Sequence, residues 1–160
     1  MSYSQYDILV FNETWLSNDI NSAELQLFDY NIYRKDRSSD TSSFSRGGGV
    51  LIAVRKIFAS TVLLANNNIE QLFVKIETNN NKFILSTVYF PPRSAHEKYL
   101  EFAEGVENLY EEYPEYKLCI LRDFNFPNCR WANDGLSSLP VALAGAPPNE
   151  AKSIRMISVL

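Results

Sequence analysis

The sequence predicts an α/β fold, a layered sandwich of mixed, mainly antiparallel sheets with outer helices. Three observations point to it. Short apolar or alternating runs recur between turn-forming residues, as strands do. One long segment, and only one, carries apolar residues at helical spacing. That segment lies between two strand candidates, so it crosses from one to the next and packs on a sheet face.

Taken in order, residues 7 to 12 (Asp-Ile-Leu-Val-Phe-Asn) read as a buried strand that runs straight into Glu13. A polar stretch follows, with Ser17 or Asn21 able to cap a short helix around residues 22 to 26. Tyr30 to Lys35 alternates and predicts a strand exposed on one face. Residues 36 to 46 form a polar surface loop ending at Gly47, Gly48 and Gly49, and Val50 to Val54 begins the next strand. A phosphate-cradling loop needs a helix and a Lys-Ser or Lys-Thr pair after its glycines. A strand follows here, so the triplet is expected to permit close backbone approach instead.

Thr61 to Leu64, Leu72 to Thr78 and Phe83 to Tyr89 are further strands, the last two joined by Asn79, Asn80 and Asn81 as a hairpin. The prolines 91 and 92 end pairing. Ser94 and Glu97 then predict a capping box for a helix in which Tyr99, Phe102, Ala103, Val106, Leu109, Tyr110 and Tyr113 recur up to Pro114. Leu118 to Leu121 is a continuous apolar run, the pattern of a strand buried on both faces, and it stops at Asp123-Phe124-Asn125. Residues 1 to 131 are expected to form the domain. Residues 132 to 160, rich in Ala, Gly, Pro and Ser without periodicity, read as a divergent or poorly ordered segment.

With 160 residues, 46% hydrophobic and 13% aromatic, the chain can bury one substantial core. The N-terminal residues lack a basic stretch before an apolar one, so no signal peptide is expected. No apolar run reaches membrane-spanning length, and no membrane partner is expected. Cys119 and Cys129 form neither a metal-type spacing nor a disulfide framework, which favours an intracellular, reducing setting. The net charge is −4, but it is unevenly spread. Arg34, Lys35, Arg37, Arg46, Arg55 and Lys56 face only Asp36 and Asp40 in residues 34 to 56, whereas residues 97 to 115 hold seven glutamates and Lys98. Two solvated faces explain this equally well, but a locally basic face is compatible with a polyanion. His96, in the first turn of the helix and without a partner in sequence, reads as a surface residue.

Strands that end in polar side chains deliver them from a rigid support to the rim of a sheet. Asp123 and Asn125 also suit a plain turn. Gathered with Glu13 and Tyr89, however, they make a coherent chemistry. A glutamate oxygen suits Mg²⁺, which takes one or two carboxylates and keeps several waters. A second carboxylate deprotonates an attacking water, and amide and phenol donors hold phosphate oxygens.

Asn12-Glu13-Thr14-Trp15-Leu16, Arg46-Gly47-Gly48-Gly49-Val50-Leu51-Ile52, Val88-Tyr89-Phe90-Pro91-Pro92 and Asp123-Phe124-Asn125-Phe126-Pro127-Asn128-Cys129-Arg130-Trp131 occur in the order found in the endonuclease/exonuclease/phosphatase superfamily. More narrowly, the chain resembles the endonuclease domain of non-LTR retrotransposons, which precedes a reverse transcriptase on the same polypeptide. The resemblance implies a DNase I-like sandwich and a nuclear, Mg²⁺-dependent (or Mn²⁺-dependent) enzyme that nicks DNA. It implies that Glu13 binds the metal, Tyr89 contacts the scissile phosphate, Asp123 activates water and Asn125 positions phosphate or water. Arg93, Arg46, Arg34 and Lys35 would hold the DNA backbone.

The chain also departs from that pattern. The family begins one strand earlier, with a strand ending in an active-site Asn, and ends with a Ser-Asp-His segment. Neither occurs here, so the fold is expected to be incomplete. Arg122 stands where a glycine usually precedes the Asp-Phe-Asn triplet. A guanidinium there lowers the basicity of Asp123. Weak or absent cleavage is therefore expected, with a non-catalytic nucleic-acid-binding remnant or an unstable fragment as the alternatives.

Overall fold

The computed structural model describes residues 6–42, 46–63, 68–92, 94–122, 130–132 and 141–143. Ile8–Asn12 (β1), Tyr30–Lys35 (β2) and Val50–Arg55 (β3) form a three-stranded antiparallel sheet in the order β1-β3-β2. Ala59–Leu63 (β4), Glu70–Glu77 (β5), Lys82–Tyr89 (β6) and Lys117–Arg122 (β7) form the second sheet in that order. Its first three strands are antiparallel, whereas β7 runs parallel to β6. The helix His96–Glu112 (α1) makes the crossover that a parallel pair requires.

The period of two in each strand sorts its side chains between layers. Val50, Ile52 and Val54 of β3 meet Leu72, Val74 and Ile76 of β5 and Leu85 and Tyr89 of β6 between the sheets. The other face of the second sheet, with Phe73, Ile84, Val88 and Ile120, is covered by Phe102, Val106 and Leu109 of α1. Leu51 and Ala53 pack outward with Leu9 and Tyr30 under Leu16, Leu25 and Leu27 of the segment between β1 and β2. This is a layered α/β sandwich. The run at 118 to 121 divides as its position requires, Leu118 and Ile120 toward α1 and Cys119 and Leu121 toward the first sheet. Burial pushes the Cys119 thiol pKa up, leaving it an inert packing group at neutral pH.

Asn21 caps a short 3-10 helix, Ser22–Leu25, by a reciprocal box: its side chain accepts from the Ala23 amide at 2.9 Å, and Glu24 accepts from the Asn21 amide at 2.8 Å. The box expected at Ser94 and Glu97 does not form. The helix starts one residue later, with Ala95 at its cap, because the Ser94 hydroxyl donates instead to the Pro91 carbonyl at 2.7 Å and closes the turn after the prolines. Strand β5 begins at Glu70, two residues before the apolar pattern starts, which carries a glutamate into a buried strand. Arg130–Ala132 (β8) pairs with Val141–Leu143 (β9), a strand too short to show a period. The rest of residues 132 to 160 lies outside the described residues.

The far end of the second sheet is tied by Tyr116, whose hydroxyl donates to Glu77 while Lys75 and Lys82 lie 5.7 and 5.6 Å from its ring centre. That bond pushes the Tyr116 pKa up to about 12 and holds the Glu77 carboxyl below its ordinary 4.5. Tyr116 titrates higher folded than unfolded, so its contribution is complete below pH ~10 and lost as pH rises through the folded value. Glu77 titrates lower, so its contribution is complete above pH ~4.5 and fades as pH falls. Tyr116→Phe is expected to lower Tm at neutral pH, with the gap from the parent narrowing at both pH extremes. Thermal melts across the pH range check this, and a gap independent of pH would refute the assignment.

Candidate functional site

The three glycines occupy φ of 82°, 68° and 81°, conformations that L side chains rarely adopt. The turn they make presents two carbonyls to the end of β1: the Thr14 amide donates to Gly49 at 3.2 Å and the Trp15 amide to Gly48 at 3.0 Å. Pinned there, Glu13 and Trp15 themselves take positive φ of 54° and 56°. Glu13 is thus held out at the rim with its carboxylate exposed, accepting a 3.3 Å bond from the Trp15 indole N–H.

Beneath the turn lies a buried ion pair. Arg37 Nε donates to Glu70 Oε1 at 2.7 Å, and their side chains are only 8% and 1% exposed. Glu70 also accepts from the Gly49 amide at 2.6 Å and the Thr41 hydroxyl at 3.2 Å, while Arg37 Nη1 donates to the Arg46 carbonyl at 2.5 Å. The pair therefore braces both ends of the glycine turn. Gly48 fits against it so closely that an added Cβ would stand 2.3 Å from both Arg37 Nη2 and Glu70 Oε2. That is why this position needs glycine.

Tyr89 ends β6 directly opposite Glu70 in the register, and the Arg37 guanidinium carbon lies 5.6 Å from its ring centre. Burial raises its pKa, the Glu13 carboxylate raises it further, and Arg37 partly offsets both. The Tyr89 hydroxyl consequently stays protonated at neutral pH and serves as a donor. Next to it, Thr87 donates to Asn12 Oδ1 and stitches the end of β1 to β6. The C-terminal ends of β1 and β6 thus meet at one rim. Strand β7, parallel to β6, ends at the same rim, with Arg122 opposite Val88.

Solved structures share this architecture. Among them are the endonuclease domain of TRAS1, a telomere-specific non-LTR retrotransposon (TM-score 0.55, 16% identity, 78% of this chain and 51% of that one), a truncated Caenorhabditis elegans TDP2 (0.53, 17%, 82% and 55%) and the human Nocturnin catalytic domain with bound sulfate anion (0.53, 16%, 84% and 62%). The fold is that of the endonuclease/exonuclease/phosphatase proteins. At these identities the likeness establishes the DNase I-like fold, and the chain spans about half the length of the first two structures. No family model and no curated protein matches the sequence.

On this DNase I-like frame the structure brings Glu13 and Tyr89 together, whereas Asp123, Asn125 and Arg93 lie outside the described residues. Arg46 is exposed at the start of the glycine turn. Lys35 lines an open polar cleft of about 530 Å³ with Asn18, Asn21 and Ser38. Arg34 is committed internally: it pairs with Asp36 and donates to the Ser17 and Ile20 carbonyls at 2.6 and 2.8 Å, locking the segment between β1 and β2. Half of the basic residues counted in 34 to 56 are therefore spent within the fold, since Arg37 is paired with Glu70 and Arg55 with Asp7. His96 is exposed at the start of α1.

For a divalent cation, no group of three or more His, Cys, Asp or Glu gathers among the described residues. Glu13 nevertheless fits Mg²⁺, because its hard oxygens are exposed, their described partners are the Trp15 indole and the Tyr89 hydroxyl, and Mg²⁺ needs no more than one or two carboxylates. Glu70 does not fit, because its oxygens are already taken by Arg37, Thr41 and Gly49. Nothing in the sequence marks Glu70, Thr41 or Thr87 as part of this site, nor the pairing of Arg37. The only available sign was a charge just ahead of a buried strand, and its partner lies 33 residues away.

Proposed function

We propose that this chain is a phosphodiesterase module acting on DNA, of the kind found in non-LTR retrotransposon endonucleases. The observation that carries the proposal is the juxtaposition of the exposed Glu13 carboxylate and the protonated Tyr89 hydroxyl at the rim where β7 also ends. Glu13 would hold Mg²⁺ or Mn²⁺, which supplies positive charge for the phosphate oxygens when bound. The Tyr89 hydroxyl donates to a non-bridging phosphate oxygen, whose charge grows in the transition state. Asp123, one residue beyond β7, takes the proton of the attacking water, and Asn125 orients that water or the phosphate. Arg46, Arg93 and Lys35 hold the DNA backbone, with Arg34 contributing through the segment it locks. A reverse transcriptase on the same polypeptide would use the nick as its primer. The site of action would then be the nucleus.

Cleavage by this chain is expected to be weak, because Arg122 stands where the resembled endonucleases carry a glycine before the Asp-Phe-Asn triplet. The decisive experiment is nicking of supercoiled plasmid in Mg²⁺ and in Mn²⁺, alongside Mn²⁺ binding followed by electron paramagnetic resonance. Nicking should vanish with EDTA and in Glu13→Gln, and should fall about 100-fold in Tyr89→Phe, the usual loss for one transition-state donor. Glu13→Gln should also weaken Mn²⁺ binding, a readout that stands even where cleavage is slight. Mn²⁺ affinity unchanged in Glu13→Gln would sink the reading.

A further inference from the structure

Trp15 is 64% exposed, yet its ring is not loose. Its amide is tied to the Gly48 carbonyl and its indole N–H to Glu13 Oε2, and a Cβ added at Gly47 would stand 3.8 and 3.9 Å from its Cε2 and Cζ2. Holding it there places two L residues, Glu13 and Trp15, in the left-handed region, a strain that folds retain chiefly where a site requires it. With its only polar atom engaged by Glu13, the indole offers solvent a rigid π face and nothing else. That face stands beside the carboxylate proposed to act at a phosphodiester. Arg46, which precedes Gly47, is exposed and adds positive charge, favouring a polyanion over a cationic guest on the indole.

We propose that Trp15 is a stacking platform for an unpaired nucleobase flanking the phosphodiester addressed by Glu13 and Tyr89. This rests on the reading of the rim as a DNA site and adds a specificity to it. A base inside a duplex keeps both faces covered by its neighbours and offers nothing to the indole. The chain should therefore prefer single-stranded or locally unpaired DNA, with little regard to which base is present, since every base has a π face.

The test uses the full chain carrying Trp131→Phe, so that Trp15 is the sole tryptophan, in EDTA to prevent cleavage. Its fluorescence is titrated with oligo(dT) of eight nucleotides, the same oligomer with abasic sites, and a blunt duplex of equal length. The expected result is saturable quenching by oligo(dT), with affinity about tenfold above that for the abasic oligomer, as one stacked base contributes. In Trp15→Leu, followed by fluorescence anisotropy of labelled DNA, that tenfold advantage should disappear while abasic binding persists. Trp15→Phe should keep most of it. Abasic and normal strands bound equally by the parent, or an advantage that survives Trp15→Leu, would overturn the platform and leave the DNA reading intact. Absence of salt-sensitive binding to any of the three DNAs would instead overturn both.

Discussion

Glu70→Gln is expected to destabilise the fold by about 3–5 kcal/mol, the usual cost of leaving one member of a buried ion pair without its counter-charge. The loss is large against a total of about 5–15 kcal/mol for a domain of this size. Three partners share the Glu70 carboxylate, and an amide cannot accept from Arg37, Thr41 and the Gly49 amide equally. Urea unfolding checks the expectation through a lower midpoint with an unchanged slope. Coupling between the partners separates this from a general packing defect. Arg37→Met combined with Glu70→Gln should cost clearly less than the sum of the single changes, because each single change strands a charge that the double change removes. Strict additivity would show that the pair is not the unit described here.

Gly48→Ala is the second large effect expected, about 2–5 kcal/mol. An L residue in the left-handed region costs about 1–2 kcal/mol. Forcing a methyl group into packed space adds about 1–3 kcal/mol. The obstructing atoms, Arg37 Nη2 and Glu70 Oε2, belong to a buried pair that cannot swing aside into solvent. Because the Gly48 and Gly49 carbonyls hold the Trp15 and Thr14 amides, the damage should reach Glu13 and weaken Mn²⁺ binding as well. Gly47→Ala provides a graded comparison. Its Cβ would come no closer than 3.4 Å to Arg37 Nη1, so the conformational cost should dominate. Gly105→Ala is the opposite case. Inside α1, with nothing within 4 Å of the added carbon, it should stabilise by about 1 kcal/mol. Thermal and urea melts of the three variants rank them. A Gly48→Ala protein as stable as the parent would refute the account of the turn.

Much of the frame was legible because its signals are local. The alternation at Tyr30–Lys35 gives a strand with those bounds, although none of its residues is exposed as a one-sided strand would require, and the hairpin after Glu77 follows from its asparagines. The Asn21 cap needed only residues within one turn. The site was legible in part, because strands ending in polar residues announce themselves. The failure at Ser94 has the same origin as the successes: a hydroxyl that can bond a following amide or a preceding carbonyl looks identical in sequence whichever it chooses, and here it donates to the Pro91 carbonyl.

The sequence by itself determined the kinds and order of the elements from β1 to β7 and the crossover helix that makes β7 parallel to β6, but not the short β8–β9 pair. Those follow from hydrophobic period and turn chemistry, which act over a few residues. Only the tertiary structure decided that Glu70 enters the core, that Arg37 meets it from 33 residues away, and that this pair sets the glycine turn carrying Glu13 toward Tyr89. A buried charge is tolerable only beside its counter-charge. Which counter-charge it finds depends on how two sheets stack, and no local pattern encodes that.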